Sequence, residues 1–283
     1  MTQGFGSVAL VLVLWGATVV APGGEVEQLA SQRVRPQEAP REQTAEAAGG
    51  DRRTVAIVAT FSICAADPDA GVCGAVVASR YPDVGRVVPY VRADVGAFCT
   101  QHHHVPAWGP HALDLLAGGK SPPGVLAELL AGDRQPGLRQ LGIVNAAGQT
   151  AQHNPTDAPS GSRYWGAQSG RYYACQGNTL AGREVITAMA RAYEDTAGSL
   201  SDRLMAALVA GDAAGGDHRG RLAAGIRVAK RGVDGYWLEL YTDQSADAVS
   251  DLLRKYVELS HDAKGGWRGH VPSADEAARP AKE

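Results

Sequence analysis

Apolar positions along the chain fall into two periods, alternating or helical, and the changes between them predict the elements. Thr54 to Ala65 (TVAIVATFSICA) is rich in β-branched residues and predicts one continuous buried strand. Asp67-Pro68-Asp69-Ala70-Gly71 supplies turn chemistry, because Pro presets φ and Gly accepts a positive φ. Val72 to Ser79 returns as its hairpin partner, and shorter extended pieces are predicted at Arg86–Val91 and Asp94–Thr100. Helical spacing then takes over. One helix opens at Gly109-Pro110 with Leu113, Leu115 and Leu116 on its apolar side. The next has Ser121 as N-cap and Pro122 at its first position, with Val125, Leu126, Leu129 and Leu130 at helical spacing.

Leu138–Asn145 and Gln149–His153 predict a second hairpin, and Arg171–Cys175 a further strand. Gly182–Thr196 places Val185, Ile186, Met189, Ala190 and Tyr193 on one stripe, and Leu200–Ala210 does likewise with Leu200, Leu204, Leu208 and Val209. Leu222–Lys230 and Tyr236–Tyr241 close the strand set before a last helix, Ala246–Leu259, capped by Ser245. Strand pairs separated by helix pairs lack the βαβ rhythm of a parallel sheet. They predict an α+β fold of two stacked antiparallel sheets with helices outside.

The ends read differently. Val8 to Ala21 is apolar and finishes in small residues, too short to span a bilayer but suited to a secretory signal over 1–21. The expectation is therefore a secreted or periplasmic protein with no stable membrane span after processing, although no Lys or Arg lies between Met1 and Val8. Residues 22–53 carry Glu, Gln, Arg, Pro and Ala with almost no large apolar side chain, and predict a disordered linker. The folded domain is then 54–260, followed by a tail of the same character over 261–283, where Trp267 is the one residue suited to docking. With 30 acidic against 27 basic residues and a net charge of −3, the chain offers no footprint for nucleic acid.

Cys64, Cys73, Cys99 and Cys175 all fall in predicted strands. In an oxidising compartment they allow three pairings, and Cys64 and Cys73 could face each other across the first hairpin; in a reducing one they are small buried hydrophobes. No CxxC spacing suggests structural zinc. His102-His103-His104 is the second unusual feature. Strand alternation sends His102 and His104 to one face, where with His111 or His153 they could hold zinc or copper, or one could act as a general base.

Several local strings then come into register with one family. Thr60-Phe61-Ser62-Ile63, Asp67-Pro68 with Gly71, and Val76-Val77-Ala78-Ser79 open the series. Val84-Gly85, Val95-Gly96-Ala97 with Thr100-Gln101, Gly109-Pro110 and Arg139-Gln140-Leu141-Gly142-Ile143-Val144 continue it. Gln176-Gly177-Asn178 with Leu180-Ala181-Gly182, and Gly215-Gly216-Asp217 with Arg219-Gly220, close it. Together, from about residue 59 to 258, they resemble a bacterial family known as domain of unknown function family 1028. The resemblance implies a fold like that of the N-terminal nucleophile hydrolases, a four-layer αββα sandwich, and no particular substrate.

It also implies that Thr60 matches a residue that is first in the chain of many family members. A terminal Thr is nucleophile and base at once, since its α-amine can take the hydroxyl proton and no cofactor is required. Asn178, and secondarily Gln101, would hold the oxyanion of an amide substrate, with Asp217 and Arg219 orienting the nucleophile or a substrate carboxylate. Ser62, Ser79, Thr100, Gln176 and Trp108 are assigned to the walls of that pocket. The scheme needs a cut after Ala59. Three functions are thus carried forward: a hydrolase of a small amide or peptide-like C–N bond, a metal-dependent hydrolase or metal-binding protein built on the His segment, and a non-catalytic binding domain. The sheet edges of such a fold also suit a homodimer.

Overall fold

The computed structural model describes residues 55–57, 60–155 and 162–262, so the predicted signal, the linker and Trp267 lie outside the described residues. Among the described residues, eleven strands and six α-helices follow one another in chain order. They are β1 (Val55–Ile57), β2 (Thr60–Asp67), β3 (Val72–Ser79), α1 (Val84–Val87), β4 (Pro89–Arg92), β5 (Gly96–His104), α2 (Trp108–Ala117) and α3 (Pro122–Ala131). Then come β6 (Arg139–Asn145), β7 (Thr150–His153), β8 (Gly166–Gly170), β9 (Tyr173–Asn178), α4 (Glu184–Asp195), α5 (Leu200–Ala213), β10 (Ala223–Lys230), β11 (Leu238–Thr242) and α6 (Ala248–Asp262).

Two antiparallel sheets result. The six-stranded sheet runs β11-β10-β3-β2-β9-β8, and the five-stranded one runs β1-β5-β6-β7 with β4 also on β5. Strand alternation divides each sheet between two layers. Phe61, Ile63 and Ala65 of β2 pack among Met189, Leu204 and Leu208 of α4 and α5 and Leu252 of α6. Cys64 and Ala66, on the opposite face, meet Ala97 and Cys99 of β5 and Val144 of β6. Phe98, Leu141 and Ile143, on the far face of the five-stranded sheet, bury against Leu113, Leu116, Val125 and Leu129 of α2 and α3. The order helix, sheet, sheet, helix is the expected αββα sandwich.

Local signals explain the helix ends. Ser121 Oγ accepts from Gly124 N at the start of α3, with Pro at the first position. Ser199 and Asp202 form a reciprocal capping box on α5, which the sequence pattern had not singled out. Ser245 lies one turn ahead of the predicted role, since α6 begins at Ala248 and Ser245 instead donates to Asp251 and accepts from Asp247 N.

Four expectations are corrected by the observed elements and their pairing. Thr54–Ala65 is not one strand: β1 pairs with His102–His104 in the five-stranded sheet, whereas Thr60 pairs with Ser79 and Asn178 in the other. A run of β-branched residues fixes extension and burial but says nothing of which sheet each half joins. Arg86–Val91 begins helical, because Val84 and Val88 are buried one turn apart and Pro89 then opens β4. Arg171–Cys175 straddles a hairpin turn, with Tyr172 at φ 72°, and the strands on either side are β8 and β9. Cys73 stands opposite Ala66 and Cys64 opposite Ala75, so those two cysteines are offset by two residues and do not face each other.

Candidate active site

Between the sheets, at the end where β2 starts, the inward face changes from apolar to polar. Thr60, Ser62, Ser79, Gln101, Gln140, Gln176 and Asn178 are all fully buried there. Register explains the convergence. Thr60 has Ser79 on one side and Asn178 on the other, Ser62 stands opposite Gln176, and Gln101 stands opposite Gln140 in the facing sheet. Each is an inward position two residues from its neighbour on the same strand.

Burying so many polar groups is tolerable only if they satisfy one another, since each unmet group costs about 1–3 kcal/mol. They largely do. Ser62 Oγ donates to Gln101 Oε1 at 2.6 Å and accepts from Gln176 Nε2 at 2.9 Å. Gln101 Nε2 donates to Gln140 Oε1 at 2.7 Å and to the Thr60 carbonyl at 3.2 Å. Asn178 Nδ2 also donates to Gln140 Oε1, at 2.9 Å. Gln140 Nε2 in turn donates to Asn154 Oδ1 and the Gly177 carbonyl. Thr60 Oγ1 donates to Ser79 Oγ at 3.2 Å, and Ser79 Oγ accepts from Tyr81 N. Gly142 leaves room for the Gln176 carboxamide, since a Cβ there would lie 2.1 Å from Gln176 Oε1.

A glycine-rich loop closes this end. The Asp217 carboxylate, itself buried, accepts from Arg80 N and Arg219 N and is in ion-pair contact with Arg219 Nε at 3.4 Å. Arg80 donates back to the Arg219 carbonyl, and Asp217 bridges to Leu180 in the backbone. The loop therefore ties down the residues that follow Ser79 and Asn178, the two neighbours of Thr60.

The structure thus brings Thr60, Ser62, Ser79, Gln101, Gln176, Asn178, Asp217 and Arg219 to one end of the sandwich. It does not bring Thr100 or Trp108 there. Thr100 lies one residue out of phase with Gln101, and its Oγ1 has no hydrogen-bond partner among the described residues. Trp108 opens α2 within the apolar layer beneath α2 and α3. Gln101 also takes another part than the expected one, holding Thr60's own carbonyl. The hub of the network, Gln140, was overlooked as a site residue; its signal was a carboxamide at an inward position of an otherwise apolar strand.

The His segment splits. His102 adopts φ 69°, its Nδ1 lies 2.8 Å from the Leu138 carbonyl, and its ring stacks edge-on against Trp165 at 4.3 Å. Burial pushes its pKa down to about 4, so the ring is neutral at pH 7. None of those contacts leads to Thr60, so His102 is not placed as its base. His111 sits on the exposed side of α2, 3.8 Å from Glu128. Among the described residues, no group of three or more His, Cys, Asp or Glu is arranged to hold a metal ion, so His102, His104 and His111 do not form a centre. Beside them the Asp133–Arg139 pair is buried, and although burial raises the carboxyl, hydrogen bonds from Arg139 hold its pKa below the usual range.

Comparison with known proteins bears on this arrangement. A family model described as a family of unknown function (DUF1028) matches residues 60–252. The crystal structure of a protein from Silicibacter pomeroyi, matched to the same family model, superposes with a TM-score of 0.66 at 25% identity, covering 80% of this chain and 96% of that one. No curated protein matches.

Proposed function

This chain belongs to the DUF1028 family, and we propose that it hydrolyses a small amide or peptide-like C–N bond with Thr60 as nucleophile, once proteolysis has made Thr60 the first residue. One observation carries the reading: Thr60 opens a central strand between Ser79 and Asn178, in a hydroxyl and carboxamide layer that no packing argument requires. The family match also opens on Thr60.

Hydrolysis of the Ala59–Thr60 bond would leave a carboxylate on Ala59 and a free amine on Thr60. With a reference pKa of about 7.7–8.0, that amine is neutral often enough to accept the Oγ1 proton as Oγ1 adds to the substrate carbonyl. The Asn178 carboxamide, directly opposite, is the donor suited to the oxyanion. Collapse transfers the proton to the departing amine and leaves an ester on Thr60, which water hydrolyses. Gln101 positions the backbone of Thr60, and the Asp217 loop holds its two neighbours. Thr60 is sealed in the uncut chain, and β1, on the other side of the cut, pairs with the other sheet. Cleavage between them leaves every partner of β2 intact. The apolar run at Val8–Ala21 leads us to place this reaction outside the cytoplasm.

The test is the mass and N-terminal sequence of protein recovered from its own host. A mature form starting at Thr60 is expected, with amide hydrolysis confined to it. Activity in a form that retains Ala59 would refute the mechanism.

A further inference from the structure

We propose that Cys64 and Cys99 are a redox-modification site, forming a disulfide that joins the two sheets one step behind the polar layer. The position follows from the strands. Ser62 of β2 and Gln101 of β5 touch across the gap at 2.6 Å, which fixes how the two strands face each other. Two residues further along β2 is Cys64, and two residues back along β5 is Cys99, each one inward step from that contact. Both thiols are fully buried in the same apolar cluster.

The gap between the sheets is narrow here. Facing sheets ordinarily lie about 10 Å apart, too far for a disulfide, whose Cα atoms stand about 4.4–6.8 Å from each other. Here the gap is lined by Ala66, Ala75, Ala97 and Ala174, and Cα atoms of β2 and β5 come within 8 Å. Cys64 and Cys99 are both free cysteines, buried in one and the same cluster. The other two cysteines are placed differently. Cys73 stands two residues out of register with Cys64, and Cys175 faces Ile186 under the helices. Disulfides between the two sheets of a sandwich are an established device in other folds.

The chemistry needs an incoming disulfide, small-molecule or protein. One thiolate attacks it, releasing a thiol and leaving a mixed disulfide; the second thiolate then displaces the other half. Two protons and two electrons leave the pair, and the incoming disulfide is reduced to two thiols. Burial, and then the Cys99 thiol beside it, push the Cys64 pKa up, so folded Cys64 holds little thiolate and reacts slowly. Exchange is therefore placed during folding, before the sheets close.

The experiment refolds the reduced chain in a mixture of reduced and oxidised glutathione, alkylates it in denaturant and maps its peptides by mass. A linked Cys64–Cys99 peptide is expected, with Cys73 and Cys175 alkylated. The same sample should melt roughly 10 °C lower after reduction. A Cys73→Ser/Cys175→Ser variant retains only the proposed pair and should still lose two mass units; if it fails to fold, the wild-type peptide map decides. Four alkylated cysteines in folded wild-type protein, or a link to Cys73 or Cys175, overturns the proposal.

Discussion

At one end of the space between the sheets, β2 and β5 meet through Ser62 and Gln101; one step along the same strands, they are lined by Cys64 and Cys99. Both regions are sealed from water, and both rest on the same backbone pairing. The apolar region gains from every methyl it buries and asks little of orientation. In the polar region Gln140 alone serves Gln101, Asn178, Asn154 and the Gly177 carbonyl, so the layer holds only when complete. A sandwich needing stability alone could continue the alanines and valines to its end. Polar groups arranged around the first residue of a central strand fit instead the chemistry proposed for Thr60.

The contrast can be broken most sharply at Thr60. Thr60→Ala should reduce hydrolysis of small chromogenic amides by on the order of 10³-fold or more, with the melting temperature nearly unchanged, because one hydroxyl contact is lost. Gln140→Leu comes next. It removes an acceptor from Gln101 and Asn178 and a donor from Gly177 and Asn154 at nearly constant volume, and should cost about 3 kcal/mol or more in urea unfolding. An apolar swap of similar volume between Cys64 and Val77 should cost less than half of that.

His102, at the margin of the polar layer, predicts a pH dependence of similar size. Its folded pKa of about 4 lies below the unfolded value near 6.5, so the unfolded chain binds the extra proton first as pH falls. The contribution is fully present above pH 6.5 and is lost between there and pH 4, by about 3 kcal/mol. Stability measured across that window should slope less in His102→Asn, a residue that tolerates the positive φ at this position. The smallest effect has the opposite sign. Thr100→Val removes a buried hydroxyl with no partner among the described residues, on the helix-facing side of the same strand, and should raise stability by about 0.5–1 kcal/mol.

Much of this molecule could be read from its residues. Turn chemistry at Asp67–Gly71 gave the β2–β3 hairpin, and Ser121-Pro122 gave the start of α3. The stripe of Val185, Ile186, Met189 and Tyr193 gave the buried face of α4. Thr60, Asn178, Gln176, Asp217 and Arg219 were named from local strings, and they do converge. Thr100 and Trp108 were misassigned because neighbours in sequence share a strand or loop without sharing a face. Gln140 was passed over because a lone carboxamide in an apolar run has no visible partners until the facing strand is known.

Periodicity, turn residues and caps are local, so the chain by itself determined which segments extend, which coil and which side of each is apolar. Pairing is not local. That residues 55–57 join one sheet while Thr60 begins another was decided by hydrogen bonds to strands some forty to more than a hundred residues away. So was the gathering of Cys64 and Cys99 into one cluster, and the bond between the Thr60 carbonyl and the Gln101 carboxamide of the facing sheet, because a backbone group accepts any partner and only packing of the whole sandwich selects one.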